Sequence, residues 1–165
     1  MRPLARTGCG QLLFMIGEPA MLSINKYLTR GIAVLSVALF SLAVSAMDKS
    51  PAPDGAKAYI VSPANGDTVT SPVTVVFGLS GMGVAPAGAD IEHTGHHHLI
   101  IDAPLPNLDQ PIPADDNYKH FGKGQTETTV ELAPGTHTLQ LLLGNFLHIP
   151  HESAVSSEVI EITVK

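Results

Sequence analysis

The stretch Gly95-His96-His97-His98-Leu99-Ile100-Ile101-Asp102 places three consecutive histidines at the mouth of an apolar run. The run is short, aliphatic and preceded by glycines, which reads as a β-strand over 96–102 rather than a helix. Side chains alternate between the two faces of a strand. His96 and His98 therefore share one face, and His97 points with Leu99 and Ile101.

Segments of the same kind flank it. Residues 58–62 make a short strand, closed by the turn signal Pro63-Ala64-Asn65-Gly66-Asp67. Residues 72–79 alternate Val73, Val75 and Phe77 with Thr74 and Val76. A Gly- and Ala-rich loop then leads to the histidines. Residues 103–122 contain Pro104, Pro106, Pro111 and Pro113, which predicts an irregular crossing or a weak edge strand. Strands follow over 126–132 and 136–143, separated by the tight turn Pro134-Gly135, and a last one runs over 157–164. No helical periodicity occurs after Met47. Six clear strands and a weak seventh predict an all-β fold, an immunoglobulin- or fibronectin-like β-sandwich of about seven strands without the Cys–Trp–Cys core. A small jelly roll or barrel is the alternative. The expected core is Val75, Phe77, Leu99, Ile101, Val130, Leu132, Leu139, Leu141, Ile162 and either Val159 or Ile160.

The amino-terminal part has a different character. Residues 21–46 read as a signal peptide: Lys26 and Arg30 precede the apolar run 31–44, and Val44-Ser45-Ala46 offers small residues for cleavage. That run is about 14 residues, where a membrane span needs roughly 20. Residues 1–20 do not fit a signal peptide and read as a mis-called start extension, with translation beginning at Met21. Residues 47–57, with Pro51, Pro53 and Gly55, form a flexible leader, and 58–165 form the sandwich domain. The expected location is periplasmic or secreted, with no stable membrane association after cleavage.

Charge narrows the partners. Residues 47–165 carry five Lys and 14 Asp and Glu, a net charge of −9 with neutral histidine. Such a surface argues against nucleic acid and anionic membranes and suits cationic partners, metal ions included. The one cysteine, Cys9, precedes the mature part, which excludes a disulfide and a thiolate-type zinc site there.

All eight histidines follow Met47. With sandwich topology, the loop before 96, the run-in to 126–132 and the loop 144–156 lie at one end. Seven histidines are thus expected to converge there, and His137 alone at the other end. Neutral imidazole is the common protein ligand for copper, zinc and nickel. The candidate metal ligands are His96, His98, His120, His148 and His151, for one Cu or Zn ion. Met82 in the same loop would tilt the choice toward copper. His97 and His137, on apolar faces, are expected to be hydrogen-bonded structural residues. Gly122-Lys123-Gly124-Gln125-Thr126 lacks the spacing of a phosphate loop and reads as a turn. Asp109, Asp115 and Asp116 lack calcium-loop spacing. No nucleophile elbow occurs, and no enzyme activity is expected.

Four segments together, Gly95 to Asp102, Gly122-Lys123-Gly124-Gln125-Thr126-Glu127, Leu132-Ala133-Pro134-Gly135-Thr136-His137-Thr138-Leu139 and His148-Ile149-Pro150-His151, resemble the exported bacterial family catalogued as domain of unknown function 4399. The resemblance covers residues 58–165 and implies a small periplasmic or secreted domain, without an activity or ligand. Glu152-Ser153-Ala154 departs from the prolines that the resemblance leads one to expect. Two functions are consistent with these observations: a metal-binding carrier, buffer or chaperone, partnered by another periplasmic protein, or an interaction domain whose histidines clamp loops.

Overall fold

The computed structural model describes residues 49–165; the readings for the start extension, the signal peptide and its cleavage site lie outside the described residues. The described chain is built of strands: β1 (Lys57–Ser62), β2 (Thr68–Val69), β3 (Val73–Ser80), β4 (Gly83–Val84), β5 (Thr94–Ile101), β6 (Tyr118–His120), β7 (Glu127–Val130), β8 (Gly135–Gly144) and β9 (Ile160–Val164). They form two sheets rather than a closed barrel. One has the order β1-β3-β7, the other β2-β9-β8-β5-β4, with β6 also paired to β5. This is the sandwich expected from the alternation and turn signals.

The inner faces meet in one core. Leu99, Ile101, Leu139, Leu141, Leu143 and Ile162 of the larger sheet pack on Ala58, Val73, Val75 and Phe77 of the smaller. Val130 and Leu132 pack against its edge. Of Val159 and Ile160, it is Ile160 that packs inward, while Val159 is exposed. The last strand starts at Ile160 rather than 157. Just before it, Ser157 bonds to β8 through its side chain, the Leu141 amide donating to Ser157 Oγ at 2.8 Å.

The larger sheet is buried on its outer face as well. Ile100 and Leu142 pack there with Ile112 under the 103–117 crossing. That two-sided burial is why β5 and β8 read as apolar runs and not as clean alternations. The weak edge strand expected within 103–122 is β6, antiparallel to β5 with His98 opposite His120. The leader is in contact with the sandwich: Ala52 and Ala56 pack on the core.

Candidate metal centre

The alternation of β5 decides which histidines can meet. His97, Leu99 and Ile101 face the inner core, so His96 and His98 lie on the outer face with Ile100. His120 arrives by strand pairing, directly across from His98. His148 arrives from the loop after β8. The four rings form one cluster. Ring centroids are 4.8 Å apart for His96–His98, 5.0 Å for His96–His120, 4.9 Å for His96–His148, 5.1 Å for His98–His120 and 4.7 Å for His120–His148. His96, His98 and His120 each offer a ring nitrogen within 4.8 Å of the others. Three such atoms lie within about 2.8 Å of a common centre, against imidazole–metal bonds of about 2.0–2.1 Å. These residues could hold a metal ion.

Two glycines make room for the rings. A Cβ on Gly144 would stand 2.9 Å from His98 Cε1 and 3.3 Å from the Ile112 side chain. A Cβ on Gly122 would overlap the His120 ring at Cε1 and Nε2. Backbone without side chain is therefore needed on both sides of the cluster.

His148 has φ 67°. A non-glycine residue in that region costs of order 1–3 kcal/mol and persists only where its surroundings impose it. Here they do. Asn145 Oδ1 accepts hydrogen bonds from the Leu147 and Ile149 amides at 2.9 and 3.0 Å. The Asn145 amide donates to the Ile149 carbonyl, the His148 amide to the Asn145 carbonyl, and the Ile112 amide to the His148 carbonyl.

The cluster's interior is polar and unsatisfied. His96 and His98 are fully buried, and all four of their ring nitrogens have no hydrogen-bond partner among the described residues. A buried polar group left unpaired costs about 1–3 kcal/mol. Such groups call for an unseen partner, water or an ion. Burial, and then the neighbouring histidines, push the His96 pKa down to about 4 and that of His98 to about 2. Burial and His148 also lower that of His120. Neutral rings are the metal-binding form. His120 is exposed and opens the cluster to solvent.

The seven histidines expected at one end do not all converge. His97 is buried on the inner face against Phe77, with ring centroids 5.2 Å apart. Its ring nitrogens make no close hydrogen bond among the described residues, but the backbone groups of Gln125 and Gly78 lie near enough to oppose the effect of burial on the ring. Strand alternation places it there, and burial lowers its pKa. His151 is buried with Nε2 3.2 Å from the Thr94 carbonyl, tying its loop to the start of β5. His93 is half exposed beside Glu92. His120 comes from within the larger sheet and not from an end loop. The site is accordingly on the sheet's outer face, not between the loops at the sandwich tip. Met82 packs on the inner core, the opposite side from the cluster.

His137 lies at the far end of β5 and β8, hydrogen-bonded as expected. Its Nδ1 is 2.6 Å from Asp102 Oδ2 and its Nε2 2.8 Å from the Ala133 carbonyl. Both partners are acceptors, so the doubly protonated ring fits best. The Asp102 carboxylate, with the Ala133 carbonyl, raises its pKa. The acidic candidates are engaged in loop structure: Asp109 pairs with Lys49, Asp116 with Lys119, and Asp115 Oδ1 accepts from the Asn117 and Tyr118 amides. The segment 122–125 is a turn, the Gly124 amide donating to the Phe121 carbonyl.

No curated protein matches the chain. A family match covers residues 75–165, a segment that begins inside β3 and holds all eight histidines. The chain belongs to the family described as Domain of unknown function (DUF4399).

Proposed function

We propose that the protein is an exported metal-binding module that carries, buffers or chaperones a transition metal. His96, His98 and His120 are the ligands and His148 is the fourth imidazole. The observation that carries this reading is the pair of fully buried rings, His96 and His98, whose four nitrogens have no partner among the described residues while two further imidazoles pack against them. An all-imidazole set without thiolate or thioether suits Cu(II) and, below it in the order of affinities, Zn(II). Met82, on the other side of the sheet, gives no support to Cu(I). The ligands are neutral and one edge of the set is exposed at His120, which suits an exchangeable cargo better than a locked structural ion. The net charge of −9 over residues 47–165 favours approach of cations. In this reading the protein is not an enzyme, and its partner is another exported protein that donates or accepts the ion.

Calorimetric titration of tag-free protein with Cu(II) and Zn(II) tests it. Wild type should bind one ion, and His96→Ala or His120→Ala should weaken binding at least about tenfold, about 1.4 kcal/mol. His137→Ala should leave affinity unchanged. A second reading, a loop clamp, is favoured at His151 by its bond to the Thr94 carbonyl. If wild type and the cluster variants bind equally weakly, and the variants lose thermal stability instead, the clamp describes the cluster too. Export is tested separately by intact mass: the mature chain should begin at Met47, and a chain retaining residues 31–44 would refute cleavage.

A further inference from the structure

We propose that Asn145 is the positioning residue of this centre: its side-chain oxygen holds the loop so that His148 is presented to His96 and His120 before any ion arrives. The proposal rests on the metal reading above. Three of the four imidazoles are placed by sheet structure, two by the alternation of β5 and one by the β5–β6 register. His148 has no such support. It sits in a loop, at a φ of 67°, a region uncommon for residues other than glycine. Its ring nevertheless lies 4.9 Å from that of His96 and 4.7 Å from that of His120, centroid to centroid.

Beside the backbone bonds of this loop, one side chain holds it there. Asn145 is 1 % exposed. Its Oδ1 accepts from the amides on both sides of His148, those of Leu147 and Ile149. Bonding to the residue two positions on is an Asx-type turn. The added bond to Ile149 closes the loop around His148. The Nδ2 end donates to Ser50 Oγ at 3.3 Å, and the Glu152 amide donates to the Ser50 carbonyl. Asn145 thus ties the loop to the leader while fixing its tip. Its Oδ1 is committed to the two amides beside His148, so it acts through His148 and not on the ion. Holding a ligand in its bound arrangement lowers the ordering cost of binding.

The test is a Cu(II) titration read both as affinity and as the nitrogen hyperfine pattern in electron paramagnetic resonance. Wild type should show four nitrogens. Asn145→Ala should show three and lose about as much affinity as His148→Ala, and the double variant should lose no more than either. Asn145→Asp keeps both amide bonds and should restore the fourth nitrogen. Ser50→Ala leaves Oδ1 in place and should keep all four. If Asn145→Ala does not fold, Asn145→Ser, too short to bond both amides in the same way, should give the three-nitrogen pattern. Four nitrogens in Asn145→Ala or Asn145→Ser, additive losses in the double variant, or loss of the fourth nitrogen in Ser50→Ala would overturn the proposal. So would three nitrogens in wild type. Wild type that binds no Cu(II) at all would instead overturn the metal reading beneath it.

Discussion

His98 and His120 stand directly opposite each other across the β5–β6 pairing, their rings 30° from parallel with centroids 5.1 Å apart. Like charges facing across a ladder repel, and His98 is fully buried. The arrangement is stable only with at least one ring neutral.

Acid should therefore destabilise the metal-free protein. The pKa values of His96 and His98 fall to about 4 and about 2 in the folded state, from 6.5. Below pH 6.5 the unfolded chain takes up protons that the folded chain refuses, so stability falls with falling pH. The loss continues to about pH 4 for His96 and about pH 2 for His98. Denaturant melts from pH 8 to pH 4 should decline less steeply in a His96→Ala/His98→Ala variant than in wild type. Equal slopes would mean that the rings are not buried as described.

Gly122→Ala should damage the site and spare the fold. The added methyl overlaps the exposed His120 ring, which can swing into solvent. Cu(II) affinity should fall about tenfold, with the melting temperature changed by only a few degrees. Unchanged affinity would mean that His120 is not a ligand.

The His137–Asp102 pair should respond to pH in the opposite sense. The His137 pKa is raised, so its stabilisation is complete below 6.5 and fades as pH rises through the folded value. Burial alone would raise the Asp102 pKa, but the His137 and Thr138 hydrogen bonds together lower it below 3.8. Its share is present above 3.8 and lost as pH falls through the lowered value. The pair is most stabilising between 3.8 and 6.5. His137→Ala should cost stability at pH 5.5, cost less at pH 8.5, and leave Cu(II) binding alone. A cost that does not shrink with rising pH would refute a charged His137.

Leu141→Ala should cost about 2–5 kcal/mol, the usual range for a truncated core leucine. Leu141 is fully buried on the inner face of β8, opposite Leu99. A cost near zero in denaturant melts would mean that Leu141 is not packed in the core as described.

Alternation and turn chemistry determined the longer strands on their own, but not the two-residue β2 and β4, which exist only through parallel pairing with β9 and β5. Val75 and Phe77, Leu99 and Ile101, and Leu139 and Leu141 fall on the inner faces because extended backbone sends successive side chains to opposite sides, a property of the chain alone. The same rule separates His97 from His96 and His98. The expected meeting of three loops at one end made those two, with His120, His148 and His151, legible as candidates. Only tertiary structure decided that the first four meet and where. His120 joins through a three-residue edge strand that the sequence placed only as an irregular crossing or weak edge somewhere within 103–122. His148 joins through a loop whose conformation depends on Asn145, with no local periodicity to betray it. Which face of β5 carries a site is likewise not local. It follows from the 103–117 crossing, which covers Ile100 and Leu142 on the outer face and leaves His96 and His98 buried there without partners.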